Sequence, residues 1–294
     1  MKAKLYKFLW RRFGHVRSVQ HFAGILLPYL NSKCCPPHAF AEITSGDEQK
    51  LWANMWEALL YWHFSRISSL VLRNDHIAKS GQDGPDFQLR FASQNIWVEA
   101  IVPKPTGIPA EWLEPPVPGN CRAKTKPHDA ILLRWTSALK EKRDQFERYR
   151  LEGTTSKDDC TVVAVNSCML SDFAFEDLGV SQLPTAVEAV LPIGPLAVPI
   201  SSDGKQTGDA IRVPRFEIKN RNNATVATNN FLNPEYANVS ALMGSFKRDL
   251  VHENLELVVV HNPLAAVPLP QGILGAHKEY SVELNGDYFT LRRV

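Results

Sequence analysis

Apolar residues recur along this chain with two different periods. Over Glu48–Leu72, Trp52, Met55, Trp56, Leu59, Leu60 and Ile67 fall at helical spacing. The breadth of that stripe predicts a helix buried over much of its surface. Ser45-Gly-Asp-Glu48 just ahead matches a capping box, in which the serine side chain caps a free N–H and the glutamate reaches back. The period then changes to two. Phe87, Leu89 and Phe91 alternate with Asp86, Gln88 and Arg90; after a turn, Ile96, Val98 and Ala100 alternate with Trp97, Glu99 and Ile101. This predicts a hairpin. Pro103–Asn120 is proline-rich and reads as a loop.

A second long helix is predicted from near Asp129 to Gly153, a residue suited to a position just past a helix end. Cys160–Ser167 is a β-branched run typical of a strand buried on both faces. From about Leu170 to Asn230 the pattern is less regular, though Arg215–Thr228 suggests a hairpin turning at Asn222-Asn223. Ala237–Phe246 predicts a helix or strand, and Leu255–Pro263 a further buried strand. The order implies an α/β domain over 45–294 with a mixed β-sheet flanked by helices, and 170–230 as a less regular insertion.

Two charges violate these patterns. Glu99 shares a strand face with Trp97 and Ile101, where a carboxylate loses hydration that only a cation or donor can replace. On the second helix, at about 100° per residue, Ile131, Trp135, Ala138, Leu139, Phe146 and Tyr149 form one narrow face. Lys142 falls in the middle of it, whereas Lys140, Glu141, Arg143, Asp144, Glu147 and Arg148 fall outside. An isolated lysine there would run its stem along apolar surface and return its head to water. Its coincidence with Asp86 and Glu99 points instead to a buried pair or a site.

Composition narrows the class. At 294 residues, with 44% hydrophobic and 22% charged, the chain suits a globular protein with a sizeable core. No apolar run reaches membrane-spanning length, and no signal-peptide pattern opens the chain. Five cysteines, an odd number, suggest reduced thiols in a cytoplasmic setting. The formal charge of +2 does not itself announce a nucleic-acid binder. Its distribution changes the picture: residues 1–41 contain no acid but carry Lys2, Lys4, Lys7, Arg11, Arg12, Arg17 and Lys33, interleaved with Tyr6, Phe8, Trp10 and Phe13. Residues 1–44 thus suggest a helical basic arm tracking phosphates and stacking on bases. An interfacial membrane helix, an organelle presequence and a core helix with a solvated basic face share that pattern.

Gly84-Pro85-Asp86, a hairpin, and a glutamate within a hydrophobic strand together resemble the PD-(D/E)xK nuclease superfamily, the restriction-endonuclease-like fold. The resemblance covers Ala53–Ser167. It implies a metal-dependent nuclease, with DNA as the expected substrate and a homodimer left open. Asp86, Glu99 and the Ala100 carbonyl would hold Mg²⁺ or Mn²⁺, and Glu57 matches the additional acid carried on a first helix. The superfamily pattern expects lysine two residues after the glutamate, and here that residue is Ile101. In some members the lysine moves to the following helix. The segment RWTSALKEKRDQFERY looks like such a helix, with Lys142 as the migrated lysine and Gln145 beside it. Lys4, Lys7, Arg11, Arg12 and Arg134 are the candidate nucleic-acid contacts. Ile101 also sustains the alternative of an inactive nuclease-like binding module, and Lys104 is the competing lysine.

Other chemistries fit less well. Cys34, Cys35 and His38 suggest zinc, but adjacent cysteines suit tetrahedral geometry poorly and no second Cys-x-x-Cys follows. No phosphate loop, dinucleotide fingerprint or nucleophile elbow is present. His63, Asp75 and His76 offer acid–base groups, although a histidine on an apolar helix face is more often a satisfied core residue.

Overall fold

The computed structural model describes residues 1–67, 69–71, 84–114, 125–171, 177–248, 255–286 and 288–294. Asp75, His76 and Cys121 lie outside the described residues. The chain opens with helices α1 (Lys2–Phe13), α2 (Val16–Leu30), α3 (Ala39–Ile43) and α4 (Glu48–Ile67). Strands β1 (Ser69–Val71), β2 (Phe87–Phe91) and β3 (Gln94–Ile101) precede the long helix α5 (His128–Leu151) and strand β4 (Cys160–Asn166). Then come β5 (Ile193–Ala197), β6 (Ile211–Pro214), β7 (Glu217–Lys219), β8 (Thr225–Ala227), β9 (Ala241–Ser245), β10 (Val258–His261), β11 (Lys278–Asn285) and β12 (Tyr288–Arg293).

Eight of these strands form one mixed sheet in the order β1-β2-β3-β4-β9-β10-β11-β12. β1, β2 and β3 are an antiparallel meander, with Phe87 opposite Val98. β3, β4 and β9 then run parallel, with Glu99 beside Val163. Every residue of β4 is buried, as its unbroken apolar run predicts, because helices cover both faces. On one face Ile96, Val98, Val162, Ala164 and Met243 pack with residues of α1, α2 and α4. On the other, Trp97, Val163, Val165 and Leu242 pack with α5. Gly244 permits close approach of α5 to the sheet: a Cβ there would lie 2.8 Å from the Trp135 ring. The expected arrangement of hairpin, β4 and the two flanking helices is therefore present.

Several local expectations need correction. Asp47, not Ser45, caps α4: its Oδ1 accepts the N–H groups of Gln49 at 2.8 Å and Lys50 at 3.2 Å. Ser45 instead donates to the Glu42 carbonyl, closing the preceding turn. α4 stops at Ile67 because Ser69–Val71 pairs with β2 as a strand. Residues 1–44 are not a detached arm. Leu5 and Leu9 are completely buried in the same cluster as Trp56 and Phe87, and Phe13 stacks on Phe22 at 4.3 Å. Basic and aromatic interleaving here is the two-sided pattern of an amphipathic helix docked on the core. Within 170–230 the chain forms two small two-stranded sheets, β5–β6 and β7–β8, and Asn223 in the latter's turn has φ 59°.

Candidate functional site

The site lies where the β2–β3 hairpin faces α5. Asp86 immediately precedes β2, and continuing the register by one residue from Phe87 and Val98 sets it opposite Glu99. Its Oδ2 accepts the Ala100 N–H at 2.7 Å, which ties it to β3 beside Glu99. Glu99 shares the strand face of Trp97, the face covered by α5, and is only 2% exposed. Both of its oxygens are engaged. Oε2 accepts from the Lys142 ammonium at 2.9 Å, and Oε1 from the Tyr149 hydroxyl at 2.9 Å.

The helix supplies three of these groups because residues 142, 145 and 149 lie within one narrow sector at helical spacing. Lys142 also donates to Gln145 Oε1 at 2.9 Å, and the Gln145 amide donates to the Tyr149 hydroxyl. The chain of contacts closes into a ring: Glu99, Lys142, Gln145, Tyr149 and back to Glu99. Gly153, with φ 75°, ends α5, and the Tyr149 carbonyl accepts the Thr154 N–H at 2.9 Å. Tyr149 is thereby fixed in the last turn of the helix.

The electrostatics follow from burial and charge. Loss of hydration, reinforced by the neighbouring Asp86 carboxylate, pushes Glu99 up to about 8 against the pull of Lys142 and Tyr149. Burial alone would lower Lys142, but Glu99 and Asp86 outweigh it and hold the ammonium above its ordinary value. Tyr149 is raised by burial and then by Glu99, so its proton stays on the hydroxyl as donor.

Glu57 lies on α4, which covers the opposite face of the sheet from α5. Its Oε2 accepts the hydroxyl of Tyr29, a fully buried residue on α2. Burial, followed by the charges of Glu57, Cys35 and Asp86, raises the Tyr29 phenol. The competing Lys104 is exposed and makes no ion pair among the described residues. Lys4, Lys7 and Arg11 are exposed on α1, and Arg12 pairs with Glu48 at 2.7 Å. Arg134 is half-buried on α5, with a buried Nε that lacks a hydrogen-bond partner. None of these five is bonded to Asp86 or Glu99. His63 is a satisfied core residue, its Nε2 lying 2.8 Å from the Leu274 carbonyl.

Two site residues went unread in the sequence. Tyr149 was recognisable only as part of the apolar stripe, although a buried tyrosine hydroxyl requires a partner and Gln145 and Lys142 lie at the right spacing. Tyr29 carries no local signal, because its partner is 28 residues away on another helix.

Among the described residues no three His, Cys, Asp or Glu side chains converge as a ready-made metal cage. Asp86 and Glu99 form a two-carboxylate oxygen set, which fits a hard ion that keeps several of its waters, as Mg²⁺ does. Burial first and the Asp86 carboxylate next raise Glu99, and a cation beside the two acids would favour its ionised form. Among the described residues, no helix is long and apolar enough to cross a membrane. Comparison with protein-family models, curated proteins and solved structures finds no match to this chain.

Proposed function

We propose that the chain is a metal-dependent nuclease of restriction-endonuclease-like fold, hydrolysing phosphodiester bonds in DNA in the cytoplasm. The observation that carries this reading is the Lys142 ammonium, 12% exposed, held 2.9 Å from Glu99 across the hairpin–helix groove, with Asp86 opposite Glu99 in the hairpin register. Helix α4, the meander β1–β3, helix α5 and the parallel strand β4 support the resemblance drawn from Asp86, Glu99 and Lys142. Ile101 stands where the common pattern has lysine, and Lys142 brings its ammonium to Glu99 from the facing helix.

Asp86, Glu99 and the Ala100 carbonyl would hold Mg²⁺ or Mn²⁺, with Glu57 contributing directly or through water. The bound ion supplies charge neutralisation at the phosphate and a more acidic water. Glu99 would have to be ionised to serve as a ligand, its proton passing to solvent. Lys142 orients the attacking water or donates to the phosphate oxygen on which charge develops. Gln145 and Tyr149 keep the ammonium on target, so its orientation is set before substrate arrives. The same ring weighs against the inactive binding module, for which a desolvated lysine on a carboxylate brings cost without catalytic use.

The test is incubation of the purified chain with plasmid DNA and Mg²⁺ or Mn²⁺, with an EDTA control and an RNA substrate in parallel. Cleavage of DNA only in the presence of the ion is expected. Intact DNA under every ionic condition, with DNA binding retained, would favour the binding module.

A further inference from the structure

We propose that the outward face of α1 is a docking surface for an anionic lipid bilayer, separate from the site at Glu99 and Lys142. Leu5 and Leu9 seat α1 on the core and are completely buried. At about 100° per residue, Lys4, Lys7 and Arg11 fall within one sector of about 60° on the opposite side of the helix, and all three are exposed. Arg12, outside that sector, pairs with Glu48, whereas these three make no ion pair among the described residues. Residues 1–41 contain no acid to offset them. Trp10 borders the cationic sector and is 51% exposed. Past the turn at Gly14, Val16 is 52% exposed and is followed by the exposed Arg17.

The place of α1 in the fold separates this face from the proposed DNA site. α1 packs with Ile96 and Val98 on one side of the sheet, while Glu99 and Lys142 meet on the other, beneath α5. A duplex seated on Lys142 has the sheet between it and Lys7. Cations with no acid among them complement a polyanionic surface, and a negatively charged leaflet adds about fivefold in affinity for each Lys or Arg at its surface. An indole ring settles at headgroup level, its apolar body toward the acyl chains and its N–H toward water. Duplex DNA offers the cations the same phosphate chemistry but gives Trp10 and Val16 no apolar phase to enter. A docked helix with a merely solvated basic face would carry the same cations. The bilayer, the duplex and the solvent separate by measurement.

The full chain is sedimented with vesicles of equimolar phosphatidylglycerol and phosphatidylcholine, and with vesicles of phosphatidylcholine alone. Tryptophan fluorescence is read with brominated acyl chains in the anionic vesicles, and affinity for a short DNA duplex is measured on the same samples. Wild type should bind the anionic vesicles and not the neutral ones, with brominated-chain quenching that is absent from Trp10→Phe. The combined variant Lys4→Gln, Lys7→Gln and Arg11→Gln should melt like wild type and bind the anionic vesicles about 100-fold more weakly. Its affinity for the duplex should be unchanged. Wild type that stays in the supernatant with anionic vesicles at low salt overturns the proposal, as does a combined variant that binds them as tightly as wild type. A combined variant that loses the duplex, with no quenching of Trp10 in wild type, assigns the face to nucleic acid and also overturns it. Should the combined variant fail to melt cooperatively, the quenching of wild type against Trp10→Phe decides. None of these outcomes bears on ion-dependent cleavage, which is tested separately above.

Discussion

Lowering the pH should loosen divalent-ion binding at Asp86 and Glu99 through one identifiable proton. Glu99 is an acid whose folded-state value, about 8, lies above its ordinary 4.5, with burial the larger cause and Asp86 the next. Below that value a proton on the metal-free carboxylate competes with the ion, which must expel it to use Glu99 as ligand. Between pH 6 and 7 the apparent affinity should therefore rise about 10-fold, flattening above pH 8 where the carboxylate is already ionised. Calorimetric titrations with Mn²⁺ in buffers of different ionisation heat count the released protons. A release near zero at pH 7, with affinity flat from pH 6 to 8, would refute the placement of the ion on Glu99. The sign is opposite for the metal-free fold. Ionising Glu99 destabilises it, so the contribution to stability is full below pH 4.5 and is lost as pH rises through about 8.

Asp86→Asn removes the repulsion that helps to raise Glu99 but keeps an oxygen for the Ala100 N–H. The metal-free melting temperature at pH 8 should be unchanged or higher, while ion-dependent cleavage is lost; a sharp fall in melting temperature would indicate a structural role instead. Tyr149→Phe leaves Glu99 Oε1 and the Gln145 amide without a partner, which should cost about 1–3 kcal/mol in denaturant titrations and move the ion-binding pH profile upward. Deleting residues 1–18 removes the fully buried Leu5 and Leu9. At about 1.5–3 kcal/mol for each leucine, the truncated chain should melt at much lower temperature; an unchanged melting curve would mean the helices are dispensable to the core.

How much was legible depends on the range of the interaction. Lys142 could be found because one charge on an otherwise apolar helical stripe is a local anomaly, and the structure gives that ammonium a carboxylate partner. Glu99 was legible for the same reason on a strand of period two. The hairpin and β4 were read from periodicity alone, since alternation and β-branched runs report burial directly. The N-terminal segment stayed open between a free arm and a core helix because basic residues interleaved with aromatics look alike on both; only the burial of Leu5 and Leu9 separates them. α4 was drawn too long because Leu70 and Val71 continue an apolar run, and it is pairing with β2 that makes them a strand. Tyr29 could not be read at all, since nothing near it in sequence identifies Glu57 as its partner.

The central claim is that Lys142 serves chemistry rather than packing. Lys142→Met keeps the apolar stem and removes the cost of desolvating the charge, so the variant should fold at least as well as wild type at pH 6, where Glu99 is mostly protonated. Plasmid cleavage by wild type and Lys142→Met should be compared at saturating Mn²⁺, with Mn²⁺ and DNA binding measured on the same samples. The account predicts ion-dependent cleavage by wild type and a loss of about 100-fold or more in the variant, with both binding affinities retained. A folded Lys142→Met that cuts as fast as wild type, or a wild type that binds Mn²⁺ and DNA without cutting, would contradict it.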